Sequence, residues 1–417
     1  MRMRLLIAIA LISLAGAVPA RAQSTQAAFF DDSVLQEVRI AISSRDWAAL
    51  KEHFEDDTYY SADITWNGVT VRNVGIRSRG AATRNGSKPG LRVDVNRFIT
   101  NQEFLGLKAF SLDNSYSDTS LVRESLAMKM FAKMGIPASR EAHARLFVNN
   151  EYVGAYVIVE AVDRTFIGRV FGALEGNVES GGYLYEFQHE FAYYFDYLGP
   201  SLAAYAPLFK PQTRDTDSIA NIYGPLEEMI RTINDSTDED FAAAVGGYID
   251  LRQFLRHLAV ETFVVEGDGI AGFVGLNNFY LYRFRSGAPA RFIPKDKDAA
   301  FGSPDSPITL RFESDVLIRR AMQVPELRQI YFDALLECAT FAEEPDADGR
   351  FWLEREVERE TSQIASAVAE DPVYPSTFDA FQDVVASLIE FTHVRPGFVR
   401  AQVAAMLDAI DSARRTP

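Results

Sequence analysis

The sequence predicts an α+β chain of two lobes, β-rich at the N-terminus and mainly helical at the C-terminus. Three observations predict it. From Tyr59 to Val95 apolar residues recur at every second position, the period of strands with one buried face. From Ser218 onward the recurrence lengthens to three and four residues, the period of amphipathic helices. A single strand pair, residues 277 to 298, interrupts that helical half.

Each element has a local reason. "DSVLQEVRIAISSRDWAALKEHF", residues 32 to 54, repeats apolar positions three and four apart and predicts a first helix. "YYSADITWNGVTVRNVGIRSRG" holds two alternating runs around Asn67-Gly68, a strong signal for a tight hairpin turn. The connection "RSRGAATRNGSKPG" follows, then the alternating strand "LRVDVNRF". "DTSLVRESLAMKMFAKMG" reads as a helix stopped by Gly135. "ARLFVNNEYVGAYVIVEAV" makes a second hairpin around Asn149-Asn150. A helix over 250 to 264 precedes the 277 to 298 hairpin, and helices fill 313 to 414. The composition changes near residues 163 to 175, giving an N-terminal lobe over 23–165 and a C-terminal lobe over 166–417.

Residues 1–22 stand apart from the fold. A basic start (Arg2, Arg4), the short apolar run "LLIAIALISLAGAV" and the small-x-small sequence Ala20-Arg21-Ala22 predict a signal peptide and a mature chain from Gln23. The expected location is secreted, periplasmic or cell-envelope. No later segment reaches the roughly 18 apolar residues that a spanning helix needs. The lone cysteine, Cys338, forbids an intrachain disulfide and reads as a buried helix residue. A formal net charge of −16 argues against sequence-independent binding of nucleic acid or anionic lipid, which needs a basic surface. The five histidines lack zinc spacing, and neither a nucleophile elbow nor a Walker A loop is present.

The chemistry concentrates in "NNFYLYRFRSGAPARFIPKDKDAAFG", residues 277 to 302. If the second strand runs through its acidic end, Asp296 and Asp298 share a face while Lys295 and Lys297 point away. A turn centred in "RSGAPA" brings Asn277 and Asn278 beside them. Two carboxylates and a carboxamide are hard oxygen ligands of the kind that suits Mg²⁺. Asp268 lies upstream in the glycine-rich "EGDGIAGFVG". An Asp in a loop, then Asn, then Asp close before Phe-Gly is the order of parts in a protein-kinase phosphoryl-transfer site. The alternative reading is an acidic hairpin end facing water, with the two asparagines as turn residues.

Several stretches resemble the spore-coat protein H (CotH) kinase-like family. They are "GIRSRGAATRNGSKPGLRVDV", "LVRESLAMKMFAKMGIPA", "LFVNNEYVGAYVIVEAVDRTFI", "GGYLYEF", "YIDLRQFLRHLAVETFVVEGDG" and the 277 to 302 stretch, in family order from about residue 60. The resemblance implies an atypical protein-kinase-like two-lobed fold. It further implies ATP with Mg²⁺ as cofactors and phosphate transfer to Ser or Thr of a protein substrate. By the same resemblance Asp268 is the catalytic aspartate, and Asn278 with Asp296 or Asp298 holds the metal. Glu124 pairs with a phosphate-binding basic residue, for which Lys88 matches the family's Lys-Pro position and Arg79 and Arg92 lie close by. Glu160 sits at the end of the strand that leads to the nucleotide hinge. Two features depart from the family: Lys295 replaces a usual Trp, and the interval from Asp268 to Asn278 is longer and richer in glycine. The alternatives are a non-catalytic envelope or coat binding protein on the same fold, and a transferase moving AMP instead of phosphate.

Overall fold

A computed structural model describes residues 25–175 and 181–415; the expected signal peptide lies outside the described residues. The first half closes a seven-stranded barrel. Strands β1 (Gln36–Ile42), β2 (Tyr60–Trp66), β3 (Val69–Arg79), β4 (Gly90–Asp94), β5 (Ala109–Asp113), β6 (Glu141–Val148) and β7 (Glu151–Glu160) follow one another around it in the order β1-β2-β3-β4-β5-β7-β6. All neighbours are antiparallel except β1 and β6, whose parallel pairing closes the ring and removes both open edges. Asn67 and Gly68 both take positive φ (46° and 74°), as do Asn149 and Asn150 (51° and 69°), which is what two-residue hairpins require of their turns.

The barrel core is aromatic at one end. Phe29, from the four-residue α1 (Gln26–Phe29), is fully buried with its ring edge-on to Trp66, Phe104 and Phe110 at 5.1–5.4 Å between centroids.

The helix predicted over 32 to 54 is corrected. Its first part is β1, and only Ser44–Glu52 forms a helix, α2, started by Ser43 accepting from the Asp46 amide. In β1 the apolar Val38, Ile40 and Ile42 are buried, while Glu37 and Ala41 face solvent. The period-two pattern was masked by apolar residues that also fall at helical spacing, and barrel closure decided between them.

Helix α3 (Arg123–Lys133) crosses from the barrel to the second half. Its Leu126, Met130 and Phe131 are fully buried in the core of the C-terminal helices. Burying Phe131 alone is worth about 1.5–3 kcal/mol relative to leaving it in water. Gly135, at φ 74°, ends the turn after it.

The second half holds α4 (Arg164–Glu175) and a four-stranded sheet in the order β11-β10-β8-β9, built from β8 (Tyr183–Phe187), β9 (Phe209–Pro211), β10 (Phe279–Arg283) and β11 (Arg291–Pro294). Around it pack α5 (Ile219–Asp235), α6 (Phe241–Gly246), α7 (Leu251–Phe263), α8 (Val316–Gln323), α9 (Pro325–Ala342), α10 (Trp352–Ala369) and α11 (Phe378–Arg415). Cys338 is buried on α9, as expected. Among the described residues no helix is long and apolar enough to cross a membrane.

The C-terminal helices also fasten the barrel. Glu360 of α10 accepts a short hydrogen bond from Ser125 of α3. Just beyond α10, Asp371 accepts from the Ala155 amide of β7 at 2.9 Å and pairs with Lys88 at 2.8 Å.

Candidate active site

Strand register builds the floor of the site. Residues directly opposite on antiparallel strands share a face. The pairs Arg77↔Arg92, Arg92↔Ser111, Ser111↔Val159 and Val159↔Glu141 therefore form one row across β3, β4, β5, β7 and β6. Arg79, two residues along β3 from Arg77, shares that face. Against this floor lie α3, contributing Glu124, and the second sheet, contributing Glu186, Lys210 and Tyr280. Lys295 and Asp296 complete the wall, and the cavity holds about 420 Å³.

The structure gathers most of the predicted residues here. Arg79, Arg92, Glu124, Glu160 and Asp296 line the cavity. Arg79 pairs with Asp113 at 2.5 Å and Arg77 with Asp57 at 2.9 Å, whereas Arg92 has no hydrogen-bonded or ion-paired partner among the described residues. Glu124 likewise has none. Burial and the neighbouring carboxylates of Glu141, Asp296 and Asp113 push the Glu124 carboxyl well above its usual range. Glu160 is saturated by Arg140 at 2.7 Å and Arg169 at 2.5 Å, so its charge is spent on fixing the end of β7.

Asp298, Asp268 and Asn278 are not among the residues that line this cavity; Asp298 accepts a short hydrogen bond from the Ser117 hydroxyl. Burial and the Asp296 charge raise its carboxyl to about 7. Burial raises Asp296 as well, against the pull of Lys295. Asp268 accepts from the side-chain amides of Asn277 and Asn278, both at 3.1 Å, and its other oxygen, Oδ1, is buried without a partner. The two acidic segments abut, with the Gly267 amide donating to the Ala299 carbonyl at 3.3 Å. Asp296, Asp298 and the Asn278 carboxamide are hard oxygen donors of the type Mg²⁺ takes. The three acidic side chains that come within 4.8 Å of one another among the described residues are instead Asp32, Glu356 and Glu360, already paired with Lys129 and Arg359.

Three expectations need correction. Lys88 is not brought to the cavity. Its fully buried ammonium pairs with Asp371 and lies 5.3 Å from the Tyr156 ring centroid, and burial lowers its pKa despite Asp371. Asp296 and Asp298 are not on a strand: β11 ends at Pro294, and Asp296 takes φ 51°. Lys297 does turn away from the cavity, but Lys295 lines it and pairs with Glu186 at 2.7 Å. Tyr280 of β10 also lines the cavity. Lys295, Glu186, Lys210 and Asp113 were missed because they come together only through strand order, which no single stretch encodes. The row rule would have flagged Asp113, two residues beyond Ser111.

The sequence profile of the family described as CotH kinase protein matches residues 76–399. The chain belongs to this family. The inner spore coat protein H of Bacillus subtilis (strain 168) is 23% identical over 271 residues, covering 63% of this chain and 68% of that protein. Invasin CotH7 of Rhizopus delemar is 23% identical over 243 residues, covering 53% of this chain but 37% of that protein. Among solved structures, the Helicobacter pylori proinflammatory kinase CtkA aligns over 73% of this chain and 94% of its own at 8% identity. The TM-score of that alignment is 0.29. Within the CotH kinase family match fall Lys88, Arg79, Arg92, Glu124, Glu160, Asp268, Asn278, Asp296 and Asp298.

Proposed function

We propose that this CotH kinase family protein is an exported, atypical two-lobed kinase that binds ATP in the cavity between barrel and second sheet. It transfers the terminal phosphate to a Ser or Thr hydroxyl of a protein substrate. The observation that carries this reading is the meeting, in one cavity, of arginines from the barrel floor with Asp296 from the turn after β11. Arg92, whose side chain forms no hydrogen bond or ion pair among the described residues, is the cation best placed to donate to phosphate oxygens, with Arg79 beside it. The adenine end has room along β7 near Val159–Val162, which line the same cavity. Asp296 and Asp298, with the Asn278 amide oxygen, would hold Mg²⁺, which when bound neutralises phosphate charge. Asp268, steadied by two asparagine amides, would orient the acceptor hydroxyl. Positioning and charge complementarity, more than covalent chemistry, supply the rate in such sites. The spore-coat and invasin relatives and the N-terminal leader sequence support a location outside the cytoplasm.

The test uses the mature protein, a generic Ser/Thr-rich acceptor such as casein, and ATP labelled at the γ or the α phosphate. Transfer of γ label that is lost in Asp268→Asn and Asp298→Asn supports phosphotransfer, and transfer of α label establishes nucleotidyl transfer. A second reading, nucleotide binding without turnover, is favoured by one observation: one oxygen of Asp268, Oδ2, already accepts from both asparagine amides. Saturable MgATP binding with neither label transferred would select it.

A further inference from the structure

We infer that the buried pair Glu261–Lys297 is a positioning device that holds both acidic segments of the site in register; its consequence for catalysis rests on the phosphotransfer reading. Lys297 stands between the two candidate metal-binding aspartates, yet it is 0% exposed and points away from the cavity. Its Nζ donates to Glu261 Oε1 at 2.6 Å and to the Asn278 carbonyl at 2.8 Å. Glu261, buried near the end of α7, receives the Ile270 amide on its other oxygen at 2.7 Å. One carboxylate thus grips the Asp268 loop directly. Through Lys297 it also grips the turn carrying Asp296 and Asp298 and the backbone of Asn278.

Two further features show how closely these parts are fitted. A Cβ on Gly269 would lie 2.5 Å from Glu261 Oε2, so only glycine lets the Asp268 loop approach that carboxylate. Four non-glycine residues of the same region take positive φ: Val265 (52°), Asn278 (54°), Asp296 (51°) and Phe301 (60°). Such conformations persist only where the surroundings over-determine them, and they cluster at functional sites. For a β-branched residue such as Val265 the conformation is especially disfavoured. The Glu261–Lys297 bonds, anchored to backbone at Ile270 and Asn278, supply that constraint. Stability alone does not call for the pair, since well-packed apolar residues replace buried ion pairs with little loss.

The test is the double variant Glu261→Leu/Lys297→Met in the mature protein, which removes both charges together. A role confined to core stability predicts native behaviour once the variant is folded. Positioning predicts that amide exchange in residues 267–271 and 296–299 speeds at least tenfold in both segments, while α9 keeps its protection. It also predicts that Mn²⁺ affinity, read by electron paramagnetic resonance without nucleotide, falls at least tenfold, as when supporting partners of metal ligands are lost. Exchange unchanged in either segment, or an Mn²⁺ affinity within twofold of wild type, overturns the inference. Should the wild type bind no Mn²⁺, the phosphotransfer reading fails, and the exchange result alone decides positioning. Should the double variant not fold, Glu261→Gln, which keeps the volume, is judged by the same readouts.

Discussion

Replacing Lys88 by Met separates two roles that the sequence alone cannot. The ammonium and the Asp371 carboxylate are 2.8 Å apart and both side chains are fully buried. At an effective dielectric of ~20 their attraction is roughly 6 kcal/mol, against which the desolvation of both groups must be set. Methionine keeps most of the packing of the lysine stem but leaves Asp371 buried without its counter-charge. Asp371 retains two backbone donors, Ala155 and Val373, both at 2.9 Å, which soften the loss. Breaking one side of a buried pair costs about 3–5 kcal/mol. For a chain of this size that lowers Tm by roughly 4–6 °C. Thermal denaturation followed by circular dichroism measures the fall, and titration with MgATP below the transition measures binding. The expected outcome is a clear loss of stability with MgATP affinity within threefold of wild type. A variant with native Tm and strongly weakened MgATP binding would refute the structural placement of Lys88 and return it to the phosphates.

Arg92→Gln should show the opposite pattern, because Arg92 has no ion pair to lose among the described residues: Tm within about 2 °C, and MgATP affinity down roughly 10- to 100-fold for one lost charged hydrogen bond, by calorimetry. Gly154→Ala should destabilise, since Gly154 has φ 133° and an added Cβ would sit 2.6 Å from Asp371 Oδ2; a melting curve matching wild type would contradict that packing. Glu266, held at about 8 by burial, gives a pH dependence. The unfolded carboxyl ionises near ~4.3, so the native state binds the extra proton between these values. Stability should be highest below pH ~4 for this group and should decline as pH rises toward 8. Glu266→Gln should flatten that slope in urea titrations at several pH values.

Local features carried much of the fold into the sequence. Both Asn-bearing hairpin turns, the stop at Gly135 and the helix at 251–263 each depend on neighbours within a few residues, and each is found where expected. The β1 strand was hidden because Val38, Ile40 and Ile42 alternate inside a segment whose apolar residues also repeat at helical spacing. Pairing with β2 on one side and with the parallel β6, more than a hundred residues away, on the other settles the choice. The acidic end of the hairpin was legible as a motif but not as a shape: the positive φ of Asp296 breaks the strand, so alternation could not say where Lys295 points. Lys88 could not be placed because Asp371 lies 283 residues later. The arginine row was implicit in the register of β3, β4 and β5, and it became visible once the strand order was known.

The central claim is that the cavity faced by Arg92 and Asp296 holds MgATP, and isothermal titration of the mature protein with ATP in the presence of Mg²⁺ tests it most directly. The account predicts one nucleotide per chain, with binding abolished by chelating the metal and severely weakened in Asp296→Asn. Absence of saturable binding, or an Asp296→Asn variant that binds MgATP as wild type does, would contradict it.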